Sequence, residues 1–341
     1  MKKGALAKHL LNTTINTALR DDVPKRTIRN LVELGENFSV GRFQHDFFGK
    51  MRSMLKNENS IYYKLWETVL TETDPDALKT FGINIGYNVC TSGGETIRTL
   101  VKKHGCAIPS VITIQYNGRE MGSAEVDNIV RQGEALGIFA YIINYCGGEL
   151  EPLAAVFAQH KDCGFVFLAD DCGLSFEAAS KLTEKKNVML SVSIDEAGFE
   201  ETCCRLRSSR MLYCVHTRYG EKQSDEILSG ALIEKIRPFS STLALLIPKD
   251  GVCANTSAKV GDFAVVCRNQ QRYPLIPMDL RFDILAINRI IANRRCYVVF
   301  DTDGQLITEN GRTRDLSLNI TKYSLIDIFR KALAFESPLV Y

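Results

Sequence analysis

Eleven cysteines are scattered through the chain, yet no two are spaced Cys-x-x-Cys, which excludes a zinc ribbon and a thioredoxin-type redox motif. No apolar run reaches the ~18–20 residues that a bilayer-spanning helix needs. The first residues, Met1 to Leu6, carry the charge of a signal peptide. His9, Asn12, Thr13, Thr14 and Asn16 then break up any apolar stretch, so a cytoplasmic protein is expected. Charge of one sign is also missing. Forty-two basic residues against 40 acidic leave a net +2, which argues against a nucleic-acid partner. Lys and Arg are spread along the chain, so no membrane-surface patch is expected. The five histidines (9, 45, 104, 160 and 216) include no i, i+4 ligand pair. There is no Gly-x-Ser-x-Gly elbow either. Ser92-Gly93-Gly94-Glu95 can cap a helix but is a weak anion site.

What is present is a large apolar fraction, 45% of the 341 residues. Most cysteines lie inside apolar runs, as in Met211–Val215 and Val265–Cys267, where thiols serve as small buried hydrophobes in a reducing compartment. Residues 5–19, 25–37, 42–57, 60–72 and 75–90 show apolar spacing of three and four, which predicts helices. Asp74-Pro75 is a helix start. From Pro109 the texture alternates. Strands are predicted at 111–115, 137–144, 165–169, 188–194, 211–217 and 243–247. Amphipathic segments lie between the first four, including 124–136, which Ser123 can cap and Gly137 can close. Such repetition implies parallel strands with right-handed crossovers. Past residue 250 the pattern loosens, apart from a hairpin around Asp301-Thr302-Asp303-Gly304 and a terminal helix over 324–334.

One strand end reads Asn144-Tyr145-Cys146-Gly147-Gly148-Glu149. Downstream come His160 to Leu168, then Lys186-Asn187-Val188-Met189-Leu190-Ser191-Val192-Ser193-Ile194-Asp195, then Gly198-Phe199-Glu200-Glu201-Thr202. Laid end to end over roughly residues 60–335, these resemble the radical S-adenosylmethionine (radical SAM) family, in its branch with a SPASM-like tail. Leu78–Arg98, His104–Ser110 and Val126–Ile138 resemble that branch's approach to its first two strands.

The resemblance implies an α/β fold: a partial (β/α) TIM-type barrel over 106–280, a helical region over 1–105, and a degenerate SPASM-like tail over 281–341. It also implies that Gly147, Gly148, Glu149 and Ser193 would contact S-adenosylmethionine. The family's decisive motif is Cys-x-x-x-Cys-x-x-Cys after the first strand, whose thiolates hold a [4Fe–4S] cluster. The loop Tyr116-Asn117-Gly118-Arg119-Glu120-Met121-Gly122 is shortened and has no cysteine. Ala169-Asp170-Asp171 replaces Thr-Asn-Gly, and Arg205–Ser209 replaces Arg-Arg-Gly, with the helix after it expected to be lost. The auxiliary-cluster cysteines are missing, Cys296 aside.

The expectation is therefore a cluster-less pseudoenzyme that binds or regulates a protein or peptide partner, such as an active radical SAM enzyme. The alternative is a radical SAM or SAM-dependent enzyme with a non-standard site, for which Cys146, Cys172 and Cys214 would be ligands near carboxyl ends of barrel strands. Asp170, Asp171 and Glu149 could form a carboxylate site, although a solvated, helix-capping loop explains the two aspartates as well. A third possibility is docking through the helical leader. No metal is expected; S-adenosylmethionine is a candidate ligand.

Overall fold

A computed structural model describes residues 25–37, 42–169, 175–239 and 242–335. The predicted helix over 5–19 lies outside these. The described residues fall into two compact units, one within Met1–Ile83 and Met189–Asp283, the other within Asn84–Val188 and Ile284–Tyr341. Among them no helix is long and apolar enough to cross a membrane.

Ten strands occur in chain order: β1 Val111–Tyr116, β2 Ala140–Tyr145, β3 Gly164–Ala169, β4 Val188–Ser193, β5 Tyr213–Tyr219, β6 Leu243–Pro248, β7 Ile276–Asp279, β8 Val299–Phe300, β9 Leu306–Thr308 and β10 Gly311–Arg312. Both units are mixed α/β. In the second unit β8, β1, β2 and β3 lie side by side and parallel, and β9 and β10 extend the β8 edge antiparallel. In the first, β4, β5, β6 and β7 are parallel in that order.

Local chemistry accounts for the elements. Residues such as Val111, Ile112, Thr113 and Ile114 favour the pleated strand. Helices Ser123–Leu136 and Leu150–Gln159 supply the crossovers from β1 to β2 and from β2 to β3. Gly137 closes the first of these in the left-handed conformation, its N–H bonded to Glu134 O. The cap at the other end is not Ser123. Gly122 holds the cap position and the Glu125 carboxylate accepts its N–H, so Ser123 is already helical. The core of this unit is aromatic: the Phe157 and Phe165 rings lie 4.4 Å apart and those of Tyr141 and Phe165 5.7 Å. Each such side chain, fully buried, contributes roughly 1.5–3 kcal/mol.

In the first unit, Asp74 accepts the Ala77 N–H at 2.9 Å and so starts the helix Pro75–Ile83. Ile28, Val32, Leu55, Tyr62, Tyr63 and Leu65 form one buried cluster among the leading helices. The helix predicted over 75–90 changes register. It becomes a π-helix, Asn84–Gly93, in the second unit. There the Asn84 side chain donates to Lys161 O and Cys163 O, and that of Asn88 to Asp162 O at 2.7 Å. The wider turn brings both side-chain amides onto the backbone carbonyls of residues 161–163. The π-helix runs on into Gly94–His104, so Ser92–Glu95 is mid-helix and opens no anion site.

Arg205–Ser208 belongs to a helix, Phe199–Ser208, that follows β4, and β5 begins at Tyr213 with no further helix between them. One further expectation is corrected. The stretch past 250 holds the 17-residue helix Ala254–Gln270, then β7, then the helix Leu280–Ile291. The hairpin of β8 and β9 is present, with Gly304 at positive φ in its turn. Arg312 bonds Asp303 at 2.6 Å as well as Asp301 at 2.5 Å. A guanidinium thus occupies the place between the two carboxylates.

Candidate functional site

β1 and β2 end in register on Tyr116 and Tyr145, whose rings stack at 6.2 Å. The chain after β2 bends back so that its carbonyls meet the two phenol groups. After β1, Asn117 organises the loop. Its side-chain oxygen accepts the N–H groups of Arg119 and Met121 at 3.0 and 3.1 Å, and its amide donates to Glu120 and to Thr302 O. This is the Asx-turn chemistry that lets a short loop close tightly. After β2 come Gly147 and Gly148, both at positive φ, +130° and +101°. Glu149 then caps the helix Leu150–Gln159.

The two loops meet backbone to backbone. An added Cβ on Gly148 would lie 2.5 Å from Gly118 Cα, 2.8 Å from Gly118 N and 2.9 Å from Asn117 O. One on Gly118 would lie 2.6 Å from Gly148 Cα. The carbonyls of the turn are also engaged. Tyr145 Oη donates to Gly148 O at 2.8 Å, and Tyr116 Oη to Glu149 O at 2.6 Å. Burial raises the Tyr116 phenol pKa, so at neutral pH it remains a donor.

Beside this contact lies a cavity of about 630 Å³, lined by residues 116–120, 122–125, 146–149 and Pro152. Its wall is largely polar, with Arg119, Glu120, Glu125 and Glu149 as charged members. Gly147, Gly148 and Glu149 are thus brought together at one cavity. Ser193 is the last residue of β4 in the other unit, buried, its hydroxyl near the Asp195 N–H at 3.4 Å. Asp170, Asp171 and Cys172 lie outside the described residues.

An iron–sulfur cluster of the radical SAM type needs three thiolates in one loop. The ten described cysteines are all free. Cys146 is exposed and is the one sulfur on the cavity wall. Cys214 is the second residue of β5, at the amino end of the strand and buried, which corrects the expectation that it lies near a carboxyl end. Burial pushes its thiol up to about 12, as it does those of Cys90, Cys203 and Cys296. Such groups are protonated at neutral pH and behave as core. Among the described residues no group of three or more His, Cys, Asp or Glu side chains is arranged to hold a metal. The residues around the β1 loop therefore do not fit three-thiolate ligation.

Three participants were not singled out in the sequence: Tyr145, Gly118 and Asn117. Asn117-Gly118 is a turn dipeptide that permits positive φ, and that signal was available. The partnership of Gly118 with Gly148 had none, because the two are 30 residues apart and meet only through strand pairing.

No protein-family model matches the chain, and no curated protein matches it. Among solved structures, Streptococcus suis SuiB bound to S-adenosylmethionine is similar at 12% identity and a TM-score of 0.47, over 71% of this chain and 69% of that one. A second structure of Streptococcus suis SuiB has the same identity and TM-score, over 91% and 82%. At a TM-score under 0.5 these are likenesses from which no function follows.

Proposed function

We propose that this chain is a radical SAM-like protein without an iron–sulfur cluster, acting as a binding or regulatory partner of a protein or peptide and not as a redox enzyme. In this reading the parallel strand–helix repeats are parts of a partial barrel over 106–280, with a helical lead over 1–105 and a degenerate SPASM-like tail over 281–341. The observation that carries it is the thiolate-free loop after β1, seated backbone to backbone on the Gly147-Gly148-Glu149 turn. Where the family resemblance calls for a loop that holds a cluster, this loop is braced by Asn117 and closed down on Gly148. Radical chemistry needs an electron delivered through a cluster bonded to S-adenosylmethionine, and the described residues offer no ligand set for one.

S-adenosylmethionine itself remains compatible with the turn. Each carbonyl oxygen has two lone pairs, so the tyrosine bonds leave one acceptor on Gly148 and one on Glu149.

The test is iron and acid-labile sulfide per chain after anaerobic reconstitution, with an S-adenosylmethionine titration on the same sample. Iron and sulfide are expected to stay far below stoichiometric. Near-stoichiometric iron and sulfide that support cleavage of S-adenosylmethionine would overturn the proposal. Affinity for S-adenosylmethionine without iron would keep the proposal and assign the Gly147–Glu149 turn to ligand binding.

A further inference from the structure

A second polar assembly lies in the first unit, unconnected with the reading above. β5 ends on Tyr219 and β7 on Asp279, with β6 between them in the sheet. Both side chains are fully buried. Tyr219 Oη donates to Asp279 Oδ2 at 2.5 Å, and the Phe282 N–H donates to Oδ1 at 2.8 Å. One carboxyl group therefore straps β5 across β6 to β7 and caps the first turn of the helix Leu280–Ile291.

The charges around it do not balance its own. From the helix Leu280–Ile291 come Arg281 and Asp283, and from the helix Ala254–Gln270 come Arg268 and, near the Tyr219 phenol, the Ser257 hydroxyl. Arg268 is committed elsewhere. Its fork holds Asp283 at 2.7 and 2.9 Å, and it donates to Pro277 O at 2.7 Å. Asp279 is left with two neutral donors, a neighbouring carboxylate and the weaker attraction of Arg281. A buried acid so placed favours its neutral form.

We propose that Tyr219 and Asp279 form a buried proton-binding pair that reverses the sense of its hydrogen bond when Asp279 gains or loses a proton. In the ionised state Tyr219 donates to Asp279. On protonation the Asp279 hydroxyl donates to Tyr219 Oη, and the phenol turns its own proton to Ser257 Oγ. One proton is taken from solvent and no covalent bond changes.

Burial pushes the Asp279 carboxyl up to about 6, against an ordinary value near 4. A raised acid contributes stability that is fully present below the ordinary value and is lost as pH rises through about 6. The Asp279→Asn variant mimics the protonated pair and lacks the titration.

Urea denaturation of the full chain and of this variant at pH 4.5 and 7.5 is the test. The folding equilibrium of the unsubstituted chain, relative to the variant, is expected to fall by at least about tenfold over that range. Parallel pH dependences would overturn the proposal. Should the variant fail to fold, carboxyl carbon NMR of the unsubstituted chain decides. An aspartate that titrates near pH 6, moved upward in the Tyr219→Phe variant, supports the pair. No aspartate that titrates above pH 5 sinks it.

Discussion

Replacing Gly148 by alanine is expected to destabilise the protein by about 3 kcal/mol, whereas the same change at Gly147 next door costs only about 1–2 kcal/mol. Both glycines stand at positive φ, where a side chain costs roughly 1–2 kcal/mol. They differ in what a Cβ would meet. At Gly147 nothing lies within 4 Å. At Gly148 the obstacles are Gly118 Cα and N and Asn117 O, all backbone atoms of a loop braced by four Asn117 hydrogen bonds. Overpacking against atoms that cannot rotate away adds about 1–3 kcal/mol. Gly118→Ala is expected to behave like the Gly148 change, since the contact is reciprocal. Urea midpoints of the three variants, at constant m-value, give the comparison. Equal costs at 147 and 148 would mean that the loop is not seated on the turn, and the proposed function would lose the observation that carries it.

Truncating Arg268 is the other large effect. Its fork on Asp283 and its bond to Pro277 O fix the end of the helix Ala254–Gln270 against the entry to the next helix. Asp283 is 7% exposed, and burial already raises its carboxyl pKa, opposed by Arg268. Removing one partner of a buried pair leaves the other charge uncompensated, which costs about 3–5 kcal/mol. Since Arg268 keeps some solvent contact, Arg268→Met is expected near 3 kcal/mol. The double change Arg268→Met with Asp283→Leu is expected to recover most of the loss, because no unpaired charge remains. A double-mutant cycle measures this directly. Additive costs would show that the pair is not coupled.

The wild-type fold also explains which parts of the chain were legible. β1, β3 and β6 fall within a residue of where β-branched runs place them. The helix over 25–37 and the closure at Gly137 follow from spacing and from one glycine. Ala254–Gln270 was missed because its apolar residues do not keep to one helical face. Gly261, for example, faces the Phe282 ring, where a Cβ would sit 2.5 Å from Cγ. β7 is four residues containing a proline, too short and too irregular for a period-2 signal. The π-helix was read as α because its stabilising partners are carbonyls some 75 residues away.

By itself the sequence determined the alternation of strands and helices, the burial of most thiols and the lack of a thiolate in the β1 loop. All three are properties of residue type and near-neighbour order. Only the tertiary structure decided that Gly118 and Gly148 are in contact, that Tyr116 and Tyr145 satisfy the carbonyls of the turn, and that Asp279 is a buried acid without a cation of its own. Those depend on strand register and on the close packing of groups far apart in the chain, and local pattern carries no record of either.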